Sequence, residues 1–128
     1  MPLSQPDSCP SKTYTRWTHL GKTYITVVWD DWGSEALPIA IFGHMGGSNP
    51  CFKSEVEAIG RLCSLAMRWG APIGEAARQL KDITCEPHWD EGREIKSVAD
   101  AFASVLEEAG QDGAPGPWLV EIGLHNGS

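Results

Sequence analysis

No apolar run in the sequence approaches the roughly 18 to 20 residues that a membrane span needs, and Met1 to Pro10 has no basic stretch followed by an apolar core. Neither a membrane partner nor export is expected, and the expected compartment is the cytoplasm. Cysteines are few and widely spaced. Cys9, Cys51, Cys63 and Cys85 form no C-x-x-C, so they read as reduced thiols that pack as small hydrophobes. Basic residues are outnumbered, 10 against 17 acidic, for a formal charge of −7. Such a field repels a nucleic-acid polymer, although a few local donors still suffice to hold one phosphate group. A phosphate-loop consensus, a nucleophile elbow and internal repeats are all missing, which leaves hydrolase chemistry without an anchor.

What remains is an ordinary globular composition of 41% hydrophobic and 21% charged residues in a 128-residue chain, the size of one domain with one core. Tyr14 to Leu20 and Thr23 to Trp29 are rich in β-branched and aromatic residues around Gly21-Lys22, the pattern of a hairpin. In the second strand Ile25, Val27 and Trp29 point one way and Tyr24, Thr26 and Val28 the other, so both faces have material to bury. A turn over Asp30 to Glu35 leads to a third strand over Ile39 to Phe42, with Pro38 at its start.

Three helices follow. Ser54 and Glu57 make a capping box ahead of Val56, Ile59, Cys63, Ala66 and Met67, and Gly70 stops the run. Pro72 opens a short helix with Ile73, Ala76, Ala77 and Leu80 on one face. Cys85 to Gly92 reads as an irregular loop, after which Ser97 and Asp100 cap a helix with Val98, Ala101, Phe102, Val105, Leu106 and Ala109 inward, ending at Gly110. Gln111 to Pro117 is a Gly/Pro linker, and Trp118, Val120, Ile122 and Leu124 alternate as a final strand. The expected class is α+β, an antiparallel sheet of an N-terminal three-stranded meander plus a C-terminal strand, with about three helices on one face. Residues 1–12 form a flexible arm, 13–110 the folded domain, and 111–128 the linker and last strand.

Several stretches in the right order resemble the TSCPD domain, otherwise found at the end of cobalamin-dependent ribonucleotide reductases. They are Gly43-His44-Met45-Gly46-Gly47, Glu57 to Leu62, Ser64 to Gly70, Gln79 to Ile83 with Cys85, and Ile95 to Ala101, and the likeness runs from Thr13 to Gly110. At the signature that names the family the chain has Lys96-Ser97-Val98-Ala99-Asp100, with Val98 and Ala99 where the family has Cys and Pro, and with the Ser and Asp of the cap kept. The resemblance implies a fold and a nucleotide-metabolism setting; it brings no catalytic residues and no cofactor.

The leading site candidate is the glycine-rich loop ahead of the first long helix: His44, Met45, Gly46, Gly47, Ser48 and Asn49, with Ser54 at the cap. Glycines let main-chain N–H groups approach a ligand, and a helix start favours an anion. The competing reading is a plain turn. Arg61, seven residues after Ser54, suits a phosphate, or else pairs with Glu57 one turn back. Six tryptophans exceed what a core this size needs. Trp32 and Trp89 sit in expected loops, where a ring either stacks on a base or anchors the loop, whereas Trp17, Trp29 and Trp69 read as core or interface. His88, three positions after Cys85, has no second close pair to complete a metal site.

The function expected is a non-catalytic binder of a small nucleotide or nucleotide-derived signal, in its finest form a phage-encoded sponge for host immune signalling nucleotides, working in the host cytoplasm. The alternatives are an interaction module that docks on a ribonucleotide reductase, and a nucleotide-modifying or cleaving enzyme using His44, His88 or Glu57. A homodimer or higher homo-oligomer is expected, paired through the last strand.

Overall fold

The N-terminal strands pair as the expected hairpin, but their two-residue turn is His19-Leu20 and not Gly21-Lys22, both of which already belong to the second strand. Gly21 adopts φ +121°, a conformation that L side chains rarely adopt, and closes β1 (Ser11–Thr18) onto β2 (Gly21–Trp29) with Tyr14 opposite Ile25. The structure is a computed structural model that describes residues 8–46 and 50–116. Its further elements are β3 (Pro38–Met45), α1 (Pro50–Arg68), α2 (Ile73–Leu80), β4 (His88–Asp90), β5 (Arg93–Ile95) and α3 (Val98–Asp112). The first three strands form an antiparallel sheet in the order β1-β2-β3, and β4 and β5 make a separate two-stranded sheet. The α+β class is as expected. The final strand over Trp118 to Leu124 lies outside the described residues.

Strand alternation decides where the core lies. Ile25, Val27 and Trp29 of β2 and Ile41 and Met45 of β3 face the helices and meet Val56, Cys63 and Met67 of α1 and Phe102, Val105 and Leu106 of α3. Phe102 is wholly buried, and removing such a ring from water contributes about 1.5–3 kcal/mol. On β1 the inward positions are Tyr14, Arg16 and Thr18, so this end of the core is polar and must be paired. Arg16 donates to Ser104 Oγ at 3.0 Å and Glu108 Oε1 at 2.5 Å on α3, and Tyr14 donates to Asp112 at 2.9 Å.

Helix α1 lies directly on the outer strand. A Cβ at Gly60 would stand 3.0 Å from the Ile41 carbonyl oxygen and 3.2 Å from Phe42 Cα, so a larger residue would have to push helix and strand apart by a few tenths of an ångström. One turn on, Ser64 Oγ accepts from Ile41 N–H at 2.9 Å and donates to Ile41 C=O at 3.0 Å, taking up edge groups that β2 does not reach. No helix among the described residues is long and apolar enough to cross a membrane.

Five stretches differ from the sequence expectation. The arm ends earlier than residue 12, because β1 already begins at Ser11 and Pro10 C=O accepts Trp29 N–H at 3.0 Å. Strand β3 runs on to Met45, whose side chain fills the core, so His44 and Met45 are strand residues and not loop residues. Helix α1 starts at Pro50, a proline needing no N–H partner in the first turn. Ser54 is therefore not its cap; its hydroxyl donates back to Cys51 C=O at 2.8 Å. Cys85 to Gly92 is not wholly irregular either, since Glu91 (φ 50°) and Gly92 (φ 84°) form the two-residue turn between β4 and β5. Helix α3 passes Gly110 and stops at Gly113, whose N–H returns to Ala109 C=O at 2.9 Å.

Candidate functional site

The residues expected to form a loop site separate once the chain is folded. His44 is exposed on the sheet surface turned away from the helices, opposite Tyr24 of β2. Met45, 4% exposed, points into the core and presents no side chain to a ligand. Gly46 is exposed with open space around it, while Gly47, Ser48 and Asn49 fall outside the described residues. Ser54 is an exposed second-turn residue of α1. Arg61 is exposed and donates to Glu57 at 2.6 Å, the i,i+4 ion pair that competed with a ligand role. Trp89, 69% exposed, stands on β4 beyond β1, with β1 and β2 between it and β3.

The surface that carries His44 has a character of its own. The alternation that sends Ile25, Val27 and Met45 inward sends Thr13, Thr15 and Trp17 of β1, Lys22, Tyr24 and Thr26 of β2, and Phe42 and His44 of β3 outward. Helices α1 and α3 pack on the opposite side, with α2 against α3, so these residues stay open over the part of the sheet near the β1–β2 turn. Trp17, Tyr24 and Phe42 are 46%, 38% and 53% exposed, although each is large enough to anchor a core. At the far end the same face is closed by Val28, Ile39 and Ala40 with Cys9 against them.

The register sets the aromatic rings in a row across three strands. Trp17 lies opposite Lys22, and Tyr24 lies opposite His44, with Phe42 beside it on β3. Lys22 Nζ lies 5.9 Å from the Trp17 ring centre and 5.3 Å from that of Tyr24, so a cation is held over two π-faces. Thr13 and Thr26 share a hydroxyl hydrogen bond of 2.8 Å farther along. No carboxylate belongs to this outward set, in a chain of net charge −7. The row ends at His44, next to the last residue of β3. Stacking surface and positive charge thus share one open face, an arrangement able to take a planar ring bearing negative charge.

Chemistry elsewhere is sparser. His44, His88 and Glu57 stand on β3, β4 and α1, and no hydrogen bond joins any two of them. Among the described residues no group of three His, Cys, Asp or Glu is placed to hold a metal. Cys85 Sγ lies 3.9 Å from His19 Nε2 rather than beside His88, and burial pushes the Cys63 thiol up from its ordinary value.

The segment Lys96 to Asp100 works as a clasp. Ser97 Oγ accepts Asp100 N–H at 3.0 Å and donates to Ile83 C=O at 2.5 Å. The Asp100 carboxylate accepts Asp82 N–H at 2.9 Å and Lys96 N–H at 3.0 Å. Lys96 Nζ meets Asp82 at 2.8 Å, which holds that carboxyl below its ordinary value. Both Ser97 and Asp100 are buried, so their service is to fix α3 and the segment before Cys85, not to meet a ligand.

Trp17, Lys22, Tyr24 and Phe42 were missed by the sequence reading as a site. The usable signal was the parity of β2, in which an aromatic and a lysine alternate with the core positions. A family model for the TSCPD domain matches residues 4–110. No curated protein and no solved structure gives a match.

Proposed function

This chain belongs to the TSCPD domain family, and we propose that it is a non-catalytic binder of a nucleotide or nucleotide-derived signal. The family is one associated with ribonucleotide reductases. The observation that carries the reading is the carboxylate-free aromatic row with Lys22 over Trp17 and Tyr24, open on an acidic chain. A base stacks on such rings, contributing about 1–3 kcal/mol per base. Its phosphate is met by Lys22. Trp17 and Tyr24 then replace Arg61 and Met45 as the ligand-facing residues. A flat face gives less enclosure than nucleotide sites usually have, and we propose that a second copy supplies the facing wall in a homodimer. Sequestration of host immune signalling nucleotides by a phage-encoded chain is the finer form of the same proposal.

A thermal-shift panel of nucleotides tests it. Ligand at one hundred times its Kd stabilises a folded protein by about 2.7 kcal/mol, a shift of several degrees in Tm. An adenine nucleotide is expected to raise the Tm of the wild type and not of Tyr24→Ala. An equal shift in both proteins removes the open face from the account.

The second reading, an interaction module for a ribonucleotide reductase, is favoured by Trp89 and Ile83, which are exposed close to the clasp. Capture of reductase that depends on Trp89, without any shift across the panel, would select it.

A further inference from the structure

Away from the aromatic face, the turn between α1 and α2 borders an open groove of about 540 Å³, within the size range of small-molecule sites. Its walls are apolar: Leu37 at the end of the β2–β3 loop, Met67 and Trp69 at the end of α1, and Pro72 and Ile73 at the start of α2. One cation lines it, Arg68, and no carboxylate does. The Arg68 Nε is buried without a hydrogen-bond partner, and Arg68 enters no ion pair among the described residues. An enclosed Nε without a partner is costly, and since Arg68 as a whole is only half-buried, an acceptor from outside the fold would meet the more open end of its guanidinium, which lines the groove.

Service to the helix end does not account for it. Arg68 stands in the last turn of α1, where a cation complements open carbonyls. Those carbonyls are already taken, because Gly70, at φ +101°, brings its own N–H to Met67 C=O at 3.0 Å and Ala71 N–H to Ala66 C=O at 2.9 Å. In the first turn of α2 Glu75 and Ala76 N–H already reach Pro72 C=O at 3.0 and 3.1 Å, which leaves the Ile73 and Gly74 N–H groups at the helix start, and the Glu75 carboxylate is paired with Arg78. Trp69, 64% exposed, offers a ring face along the same wall.

We propose that this groove binds a small planar aromatic anion, its ring against Trp69 and its carboxylate or phosphate on Arg68. The proposal stands independently of the aromatic sheet face. Its test is a titration of the full chain with 2-naphthoate, followed by tryptophan emission, with neutral 2-naphthamide as the uncharged control and AMP as competitor. Saturable binding of naphthoate is expected, tighter than naphthamide and weakened about tenfold or more by Arg68→Gln, the loss expected for a charge-assisted hydrogen bond. Trp69→Ala, at an exposed position that folding does not depend on, is expected to weaken both probes, and Tyr24→Ala to weaken neither. Competition by AMP assigns the anionic group to a phosphate, and its absence assigns it to a carboxylate. Naphthoate that does not saturate, that binds no better than naphthamide, or that is indifferent to Arg68→Gln in a protein with an unchanged melting curve overturns the proposal.

Discussion

Arg16 shows how much one buried charge asks of its neighbours. It sits on the inner face of β1 beneath α3 and is served by Ser104, Glu108 and the Thr15 carbonyl. Because Glu108 is partly exposed, the pair is weaker than a fully buried one, yet removing the carboxylate strands a guanidinium that water cannot reach. Glu108→Ala is expected to cost about 2 kcal/mol in urea unfolding. Adding Arg16→Met should recover most of that loss, since the uncompensated charge goes with it; additive losses in the cycle would show that the two side chains do not act as a pair. Tyr14 is the companion case. Burial first, and then its hydrogen bond to Asp112, push its hydroxyl above the ordinary value of 10.0. The folded state therefore holds this proton more tightly than the unfolded chain, and its contribution is full below about pH 10 and lost as pH rises beyond that. Tyr14→Phe should be less stable than wild type at pH 7 by about 1 kcal/mol, with the gap narrowing above pH 10. A gap that holds constant through pH 11 would mean that this hydroxyl is not what titrates.

The same substitution, glycine to alanine, is expected to act in opposite directions in two helices. Alanine favours a helix by about 1 kcal/mol over glycine, and at Gly74 of α2 nothing stands within 4 Å of the new Cβ, so Gly74→Ala should stabilise. At Gly60 of α1 the Cβ meets the backbone of β3 at 3.0 Å, and Gly60→Ala should destabilise by about 1–3 kcal/mol despite its propensity. Urea midpoints of the two variants moving in the same direction would refute the close seating of α1 on β3. These elements also show what the sequence could and could not disclose. The N-terminal hairpin, the Ser97 cap and the apolar stripe of α3 are local patterns that the sequence displays, although the glycine drew the expected turn two residues past its place at His19-Leu20. The start of α1 was misplaced because Ser54 and Glu57 imitate a capping box, whereas Pro50 had already opened the helix. The β4–β5 turn was missed because it places Glu91, a residue that seldom accepts positive φ, beside Gly92.

For the molecule as a whole, the open face follows from an imbalance between layers. One sheet has two faces, and α1 and α3, with α2 against α3, went to the side of Ile25, Val27 and Ile41. Aromatic residues on the other side then stay in solvent beside Lys22. The sequence displayed the parity of β2 but not which face the helices would take, because that depends on contacts such as Gly60 on Ile41, far apart along the chain. For the same reason His44, Arg61 and Trp89, each plausible on its own, ended on different surfaces. An acidic chain that keeps one uncharged-to-basic aromatic face suits an anionic, ring-bearing ligand better than a polymer of phosphates.

Mass spectrometry of the small molecules released by denaturing the purified protein, after incubation with a cellular nucleotide extract, tests this most directly. An intact nucleotide or nucleotide-derived signal is expected from the wild type and none from the Trp17→Ala, Tyr24→Ala double variant. A cleaved or altered product, the same ligand retained by the double variant, or no nucleotide from either protein would contradict it.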